Sequence, residues 1–314
     1  MAEIGIDLEK AISLLKANEL VAIPTETVYG LAGNALQEEA ILKIYEAKKR
    51  PKFDPLIAHT NSIESVDKLV NEIPQKARLL ADAFWPGPLT MLLEKRENVP
   101  DLLTSGLNRV AVRIPKHPLA QELLSKLDFP LAAPSANPFG YVSPTSALHV
   151  QNQLRDQLQY ILDGGECKVG IESTIIGFDN EKAIIHRLGG MSVENIEKVI
   201  GSVEIQTNNS SNPQAPGMLK SHYSPGRKVI IGDIATNLNK SSTDKVGVIS
   251  FSESYNVKNE VILSPSRDLN EAAQNIFKAL RAMDNSEVEV VFAEYLPDEG
   301  LGKAINDRLR RASV

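Results

Sequence analysis

A polar segment divides this chain into two unequal regions, and the division constrains the fold more than any other feature of the sequence. Residues 206–227, QTNNSSNPQAPGMLKSHYSPGR, are rich in Asn, Ser, Pro and Gly, a composition typical of linkers between domains. A chain of 314 residues also exceeds the length at which a single hydrophobic core usually stops growing. We therefore predict a first domain at residues 1–205 and a second at 228–314, joined by a linker at 206–227.

Helical and strand patterns alternate in both regions. Before the linker, segments with apolar residues at helical spacing alternate with short apolar runs, namely LEKAISLLK, ELVAI, QEEAILKIYEAKK, PLIAH, LTMLLEK and RVAVRIP. After the linker, four runs read as buried strands and two longer segments read as helices, beginning with KVIIGD and ending with LGKAINDRLRRAS. The pattern predicts an α/β fold with flanking helices, followed by a smaller three-layer domain whose sheet is mainly parallel.

The composition argues against several classes of protein. Hydrophobic residues make up 42% and charged residues 24% of the chain, the mixture of an ordinary globular domain. No apolar run approaches the roughly 18 residues of a membrane-spanning helix, and the amino-terminal MAEIGIDLEK lacks the apolar core of a secretory signal. A single cysteine, Cys167, excludes an internal disulfide and a cysteine-rich zinc site, and the five histidines are scattered. We therefore expect a cytoplasmic protein.

The charge distribution bears on nucleic acids and nucleotides. The formal net charge is −6, and no basic stripe is interleaved with aromatic residues, so we expect no stable direct binding of RNA. Neither GxGxxG nor GxxxxGK[ST] occurs in the sequence. A nucleotide would therefore bind without the common glycine-rich loops.

Four hydrogen-bonding side chains follow the apolar run ELVAI, where a simple turn would use Gly, Asn or Asp. They are Thr25, Glu26, Thr27 and Tyr29 of PTETVYG. One interpretation is a turn stabilised by its own Thr and Glu side chains. The other is one wall of a pocket, because open α/β sheets bind ligands beyond the carboxyl ends of their strands.

The segment AKKRPKFDPL concentrates cations at the predicted end of a helix, at Lys48, Lys49, Arg50 and Lys52. Such a cluster usually compensates the helix dipole and keeps the surface hydrated. These four charges exceed what one helix end needs, and the two prolines of the segment stiffen it. A polyphosphate is therefore the alternative partner.

An arginine, Arg113, lies inside the apolar strand RVAVRIP. An unpaired guanidinium is costly to bury, so this residue faces solvent, pairs with a structural carboxylate or binds an anionic ligand. We favour the ligand, because the planar fork of arginine suits a carboxylate or a phosphate.

Small polar groups recur on loops and at strand ends further along the chain. Either they bind phosphate oxygens or they stabilise turns. They lie in APSAN, VSPT, ESTII and HRLGG, at Ser135, Asn137, Ser143, Ser173, Thr174 and Arg187.

The sequence offers no Cys–His pair and no defensible Ser–His–Asp order, so we expect no covalent nucleophile. Fixed cations and hydroxyls can still promote nucleotidyl transfer, because they hold anionic reactants together and neutralise charge. Lys48 and Arg50 are the candidates for that charge stabilisation. The expected cofactor is Mg²⁺, bound through nucleotide phosphates rather than in an all-protein cage.

Taken in their order along the chain, these motifs resemble the YrdC/Sua5 family. The matching segments are PTETVYGL, AKKRP, PLIAH, WPGPLT, AVRIP, APSAN, SPT, DGG, GIESTII and HRLGG. They cover the chain to about residue 205, and the linker and second domain are similar to those of the long, Sua5-type members. The resemblance implies a YrdC-like twisted mixed sheet and a smaller Rossmann-like domain.

The resemblance also implies an activity, that of a threonylcarbamoyl-AMP synthase. L-threonine, bicarbonate and ATP would give threonylcarbamoyl-adenylate and pyrophosphate. A downstream threonylcarbamoyl transferase would use the adenylate for the t6A modification at position 37 of tRNA. No stable direct binding of tRNA by this chain is expected.

Candidate contacts for each substrate follow from the same resemblance. The ATP side would comprise Lys48, Arg50, Lys52, Ser135, Asn137, Ser143, Arg187 and Tyr223. The threonine side would comprise Thr25, Tyr29, His59, Arg113, Ala133 and Ser173. In this assignment Arg113 is the partner of the threonine carboxylate, and a hydrogen-bonded core histidine is the alternative for His59.

Two positions extend or depart from the family pattern. Many members carry Asn where this chain has Asp54, and an added negative charge beside a phosphate site should weaken binding unless it faces a metal, Lys52 or solvent. In the linker, His222 and Tyr223 are too specific for a simple tether. We predict that PGMLKSHYSPG folds over the pocket and excludes water from a hydrolysable product.

Two other functions are alternatives to adenylate synthesis. One is a module that binds structured RNA through a basic concave surface, which the acidic net charge disfavours. The other is carbamoyl transfer, as in the YrdC-like segment of hydrogenase maturation proteins. Those proteins carry additional acylphosphatase and zinc-finger regions, which a chain with one cysteine lacks.

Overall fold

The computed structural model describes residues 1–179, 182–207, 215–216, 226–241 and 245–313. Within these ranges the chain forms two β-sheets, one of eleven strands and one of four. None of the helices in the described ranges is both long enough and apolar enough to cross a bilayer.

The larger sheet and its helices are built from the first 205 residues. Its strands are β1 (Glu3–Gly5), β2 (Val21–Ile23), β3 (Gly30–Asn34), β4 (Ile57–His59), β5 (Leu89–Glu94), β6 (Arg109–Arg113), β7 (Leu131–Ala132), β8 (Tyr160–Leu162), β9 (Thr174–Asp179), β10 (Lys182–Arg187) and β11 (Glu204–Ile205). Its helices are α1 (Leu8–Lys16), α2 (Glu38–Lys48), α3 (Ile63–Asp67), α4 (Gln75–Phe84), α5 (Asp101–Thr104), α6 (Pro118–Ser125), α7 (Ala147–Leu154) and α8 (Val193–Ile200).

The larger sheet is mixed, with the strand order β1-β8-β2-β3-β7-β4-β6-β5-β9-β10-β11. Parallel pairs such as β4 with β6 and β5 with β9 alternate with antiparallel pairs such as β5 with β6 and β9 with β10. The predicted α/β class and the mixed, YrdC-like sheet are therefore confirmed. In the β4–β6 register His59 lies opposite Arg113, which brings two candidate site residues side by side.

Strand β3 was not predicted from the sequence. Its residues, GLAGN, include two glycines, which weaken the strand signal. Here the strand is central: it pairs with β2 on one side and with β7 on the other. Gly30 allows a close approach where β3 begins, because an added Cβ would lie 3.1 Å from the Cβ of Ala133, which would then have to shift by a few tenths of an ångström.

The second domain contains strands β12 (Lys228–Ile231), β13 (Val246–Ser250), β14 (Asn259–Ile262) and β15 (Val290–Ala293), with helices α9 (Ile234–Lys240), α10 (Leu269–Asp284) and α11 (Gly302–Ala312). All its strand pairs are parallel, in the order β12-β15-β13-β14. Alternate strand residues face opposite layers: Val248 and Phe292 pack with Ile234 of α9, whereas Ile249 and Val291 share a core with α10 and α11. The three-layer prediction is confirmed, although helix α9 was not predicted.

Candidate active site

A pocket lies in the first domain, and its empty space, together with the open solvent at its mouth, amounts to about 570 Å³. Three of its residues, His59, Arg113 and Arg187, are the last residues of β4, β6 and β10. The pocket brings together most of the residues singled out in the sequence, namely Thr25, Arg50, His59, Arg113, Ala133, Ser135, Ser173 and Arg187. Residues that are far apart in the chain therefore form one site.

The PTETVYG segment, between β2 and β3, is both a turn and a pocket wall. The Thr25 hydroxyl donates a hydrogen bond to the carbonyl oxygen of Val28 (2.6 Å) and accepts one from the backbone N–H of Thr27 (3.2 Å). Thr25 and Thr27 both line the pocket. The two interpretations of this motif are compatible, because the turn fixes the side chains that form the wall.

Arg113 has a carboxylate partner from the protein itself. Its Nη2 lies 2.7 Å from Glu26 Oε1, and both side chains are almost fully buried. Its Nη1 donates to the Thr27 hydroxyl (2.9 Å) and its Nε donates to the carbonyl oxygen of Gly87 (3.2 Å). The structure thus contains the structural ion pair that was the alternative to a ligand, and Arg113 also lines the pocket, so its contact with a threonine carboxylate stays a prediction. A threonine carboxylate would bind an arginine whose positive charge is already paired with Glu26.

Arg50 and Asp54 form a second buried pair at the pocket. Arg50 Nη2 lies 2.9 Å from Asp54 Oδ2, and the Asp54 side chain is fully buried. The guanidinium also donates to the carbonyl oxygens of Asp54 and Pro55. The aspartate is therefore shielded from solvent and pairs with Arg50. Its charge orients Arg50, which explains how a negative residue is accommodated beside an anion site.

Lys48 does not line the pocket, although the sequence assigned it to ATP phosphates. Its ammonium donates to the carbonyl oxygens of Ser135 and Asn137, each at 2.5 Å, and its side chain is buried. Burial lowers the pKa of Lys48 well below its ordinary value, and the neighbouring charge of Arg50 adds to this effect. We infer that Lys48 anchors the APSAN loop against the end of α2.

Asn137 and Ser143 are also outside the pocket lining, and their donors are already used. The Asn137 side-chain amide donates to the carbonyl oxygens of Pro138 (2.9 Å) and Tyr141 (2.8 Å). The Ser143 hydroxyl donates to Glu172 Oε1 at 2.5 Å. Phosphate oxygens only accept hydrogen bonds, so either residue would have to give up an existing bond to contact them.

Three further candidates differ from their expected placement or fall outside the described ranges. The Tyr29 hydroxyl donates to Asp163 Oδ1 (3.1 Å) and to the carbonyl oxygen of Gly165 (2.8 Å), and Tyr29 does not line the pocket. Lys52 is exposed and is likewise absent from the lining. Tyr223, like His222, lies outside the described residues, so its assignment and the predicted cover over the pocket stay predictions.

Six residues of the linker are described, 206–207, 215–216 and 226–227, and among them Ala215 and Pro216 contact the first domain. Pro216 lines the pocket. Ala215 is fully buried, in a cluster with Ile57, Leu92 and Ile175. The linker therefore contributes to the site at this point of the chain.

Ser173 and Arg187 meet on the pocket wall. The Arg187 Nε donates to the carbonyl oxygen of Ser173 (3.0 Å) and its Nη2 donates to the Ser173 hydroxyl (3.1 Å). That hydroxyl also lies 2.7 Å from the hydroxyl of Thr90. These bonds hold a cation and two hydroxyl groups in fixed positions.

Glu172, next to Ser173, is a pocket residue that the sequence reasoning missed. Its Oε2 accepts from Arg308 Nε at 2.9 Å, and Arg308 belongs to α11 of the second domain. Burial alone would raise the pKa of Glu172, but the charges of Arg308 and Arg187 and the Ser143 hydroxyl lower it to about 2. The available signal was a carboxylate directly after Ile171, at the start of ESTII.

His59 is buried and lies at the pocket beside Arg113. Its Nδ1 is 3.2 Å from the carbonyl oxygen of Ile57, so the proton of the neutral ring resides on Nδ1 in this contact. Burial lowers the pKa of His59 to about 3, and the charge of Arg113 adds to the shift. The imidazole is therefore neutral at physiological pH.

This neutral histidine predicts a pH dependence of stability. In the unfolded chain His59 takes up a proton below about pH 6.5, whereas the folded protein does not, so folding is penalised as the pH falls. Between pH 7.5 and 5.5, the free energy of unfolding should fall by about 1.4 kcal/mol more in wild type than in His59→Gln. Urea unfolding at both pH values measures this difference. Equal changes in the two proteins would mean that His59 is protonated in the fold.

The described residues contain no group of three or more His, Cys, Asp or Glu side chains that could hold a metal ion. The carboxylate that lines the pocket, Glu172, is engaged by Arg308 and Ser143. These donors do not suit an all-protein Mg²⁺ cage, which requires several oxygen ligands in octahedral geometry. An ion held mainly by a bound triphosphate is compatible with them.

Comparisons with known proteins place these features in a family. Two family models match the chain: "Telomere recombination" (Sua5_yciO_yrdC) over residues 13–189, and "Threonylcarbamoyl-AMP synthase, C-terminal domain" (Sua5_C) over residues 191–314. The chain is 43% identical over 318 residues to the threonylcarbamoyl-AMP synthase of Pyrococcus abyssi, covering 96% of this chain and 93% of the relative. It is 38% identical over 320 residues to that of Bacillus subtilis, covering 98% and 92%.

A solved structure agrees with the sequence relatives. The crystal structure of P. abyssi Sua5 complexed with L-threonine superimposes with a TM-score of 0.92 at 43% identity, covering 98% of this chain and 94% of that one. Both domains are therefore represented in one relative, in the same chain. By sequence and by fold, the chain belongs to the Sua5/YrdC family, as one of its long, two-domain members.

Proposed function

We propose that this chain is a threonylcarbamoyl-AMP synthase, which makes threonylcarbamoyl-adenylate and pyrophosphate from L-threonine, bicarbonate and ATP. The observation that carries the proposal is the pocket itself, where three arginines and several hydroxyls from distant segments converge. The names of the full-length relatives and the threonine complex of P. abyssi Sua5 support the same reaction.

Positioning and charge stabilisation suffice for this reaction. The threonine amine combines with bicarbonate, losing water, to give a carbamate. A carbamate oxygen then attacks the α-phosphorus of ATP, and the bond to the β-phosphate oxygen breaks to release pyrophosphate. Each step is favoured when two anions are held close together and their charge is neutralised, which requires no covalent intermediate with the protein.

The pocket residues divide between the two substrates. Thr25, His59, Arg113, Ala133 and Ser173 form the proposed threonine side, where neutral His59 adds no competing positive charge. The buried pair with Glu26 holds the Arg113 fork in one orientation, so little of its rotamer entropy remains to be lost on binding. Arg50, Arg187 and Ser135 form the proposed ATP side. Mg²⁺ on the phosphates would neutralise the leaving pyrophosphate.

The proposed product is consumed in a second reaction by another protein. Threonylcarbamoyl-adenylate is a mixed anhydride, so water hydrolyses it readily. We propose that a threonylcarbamoyl transferase accepts it and forms t6A in tRNA. We expect no stable direct binding of RNA by this chain, because its formal net charge is −6.

Pyrophosphate release tests the proposed reaction directly. With ATP, Mg²⁺ and bicarbonate, we expect release to depend on L-threonine. Release with L-serine should be about five- to thirtyfold lower, because its missing methyl group costs about 1–2 kcal/mol of binding. Mass spectrometry should detect the threonylcarbamoyl-adenylate. Release that is the same without any amino acid would indicate an ATPase instead, and tight RNA binding on filters without pyrophosphate release would support the binding-module alternative.

A further inference from the structure

Two buried arginines of the second domain contact the first domain: Arg308 binds a residue of the pocket wall, and Arg281 binds a segment outside the pocket lining. Arg308, on α11, is fully buried, and its Nε donates to Glu172 Oε2 (2.9 Å). Arg281, on α10, donates to the carbonyl oxygens of Val142 (3.3 Å) and Ser143 (3.0 Å). The second domain therefore contacts the segments that carry Glu172 and Ser143.

Glu172 lies at the centre of this arrangement. One of its oxygens accepts from Arg308 and the other accepts from the Ser143 hydroxyl, while the residue itself lines the pocket. The rest of the Arg308 fork is fixed as well, because Nη2 donates to the carbonyl oxygen of Leu188 and Nη1 donates to Asp307 Oδ2. The Arg308 guanidinium therefore binds two segments of the first domain, the one with Glu172 and the one with Leu188.

The charge of Glu172 also acts on Arg187. Arg187 is close enough to help lower the pKa of Glu172, and it donates two hydrogen bonds to Ser173, the next residue. Without a second cation, the buried carboxylate would draw Arg187 towards itself and would repel a triphosphate in the same pocket. With Arg308 present, the carboxylate has its own partner.

An interface that only held the two domains together would not need the Arg308–Glu172 ion pair. Replacing a buried pair by apolar side chains is often neutral or stabilising, because two charges must be desolvated. The same interface also contains an ordinary ion pair, Lys303 with Glu194, at 2.6 Å and partly exposed. Arg308 differs from Lys303 because its partner lines the pocket.

We propose that Arg308 is a positioning residue for the ATP side of the pocket: it neutralises and fixes Glu172, so that Arg187 stays directed to Ser173 and the ligand. The second domain is in this way part of the active site. This inference rests on the proposed function for the identity of the ligand. The residue itself touches no substrate, so its effect must act through Glu172.

The proposal is tested by ATP binding, measured by isothermal titration calorimetry without threonine. Arg308→Gln should weaken ATP binding at least tenfold, because an uncompensated carboxylate remains in the pocket. Arg308→Lys, which keeps the charge, should stay within about threefold of wild type. The matched control is Lys303→Gln, which removes a cation from the same helix and interface and should bind ATP as wild type does.

The decisive variant is the double substitution Glu172→Gln with Arg308→Gln. It removes both members of the Glu172–Arg308 ion pair, so no uncompensated Glu172 carboxylate remains in the pocket, and it should restore ATP affinity to within about threefold of wild type. If Arg308 serves only to hold the domains together, the double variant will bind no better than Arg308→Gln, and that result overturns the proposal. If Arg308→Gln alone does not fold, the double variant still decides, since a loss of more than tenfold in it also overturns the proposal.

This experiment separates the two claims about the protein. Wild type that binds ATP but releases no pyrophosphate with L-threonine contradicts the proposed function, while the ATP affinities of the variants still test the role of Arg308. Equal ATP affinities in wild type and Arg308→Gln, with intact pyrophosphate release, contradict the positioning role alone. Wild type that does not bind ATP contradicts both.

Discussion

Replacing Arg113 with Gln is expected to reduce threonine-dependent pyrophosphate release by about 100-fold or more and to destabilise the fold. Pyrophosphate release falls because the proposed threonine side loses its cation. A threonine that is bound out of position reacts about 100-fold more slowly. Stability falls because Glu26 is left as an unpaired, buried carboxylate, at a cost of about 3–5 kcal/mol. Pyrophosphate assays and urea unfolding measure the two effects separately.

The double substitution Glu26→Gln with Arg113→Gln separates stability from function. Removing both charges should recover most of the lost free energy of unfolding, because no buried charge remains unpaired. Activity should stay low, since the pocket still lacks the arginine. If activity recovers together with stability, Arg113 only supports the fold and the threonine carboxylate binds elsewhere.

The sequence predicted where the site lies better than it predicted how the charges are paired. Motifs at strand ends, such as PTETVYG and RVAVRIP, indicated the strands and the pocket wall, because polar side chains directly after a buried apolar run lie at the edge of the sheet, where ligands bind. The partner of Arg113 was not predicted, because Glu26 lies 87 residues away in the chain and only the fold brings them together. The same holds for Glu172 and Arg308, which are 136 residues apart.

The basic cluster at the end of α2 shows a second feature of the site that the sequence could not predict, the direction of each charged side chain. The sequence shows four cations within five residues, and nothing in it distinguishes one from another as a partner of a polyphosphate. In the fold, Lys48 and Arg50 are buried and bind protein oxygens, whereas Lys49 and Lys52 are exposed. A sequence shows that the cations are close together, but which of them point into the fold and which into solvent depends on the residue at which the helix ends. Here α2 ends at Lys48, and Lys49 takes a left-handed conformation.

Replacing Gly189 with Ala should be the most damaging small change near the pocket. A Cβ at this position would lie 2.3 Å from the carbonyl oxygen of Glu172 and 2.4 Å from the carbonyl carbon of Ser173. Both neighbours are backbone atoms, so no side-chain rotation can relieve the overlap. The segment that leads into β9 must shift, and it carries two residues of the pocket wall with it. We expect a loss of about 2–3 kcal/mol of stability and of about 100-fold in pyrophosphate release.

A matched glycine at a distant position controls for this prediction. Gly201 follows α8, and a Cβ there meets no atom within 4 Å, although its positive φ of 78° disfavours alanine. Gly201→Ala should therefore cost about 1–2 kcal/mol from backbone strain alone and leave activity near that of wild type. Comparable losses of activity in both variants would show that the pocket responds to global destabilisation. Both variants lose stability, but only the methyl group of Gly189→Ala displaces the backbone of Glu172 and Ser173. A loss of activity in Gly189→Ala alone would therefore show that this backbone must keep its position for the reaction.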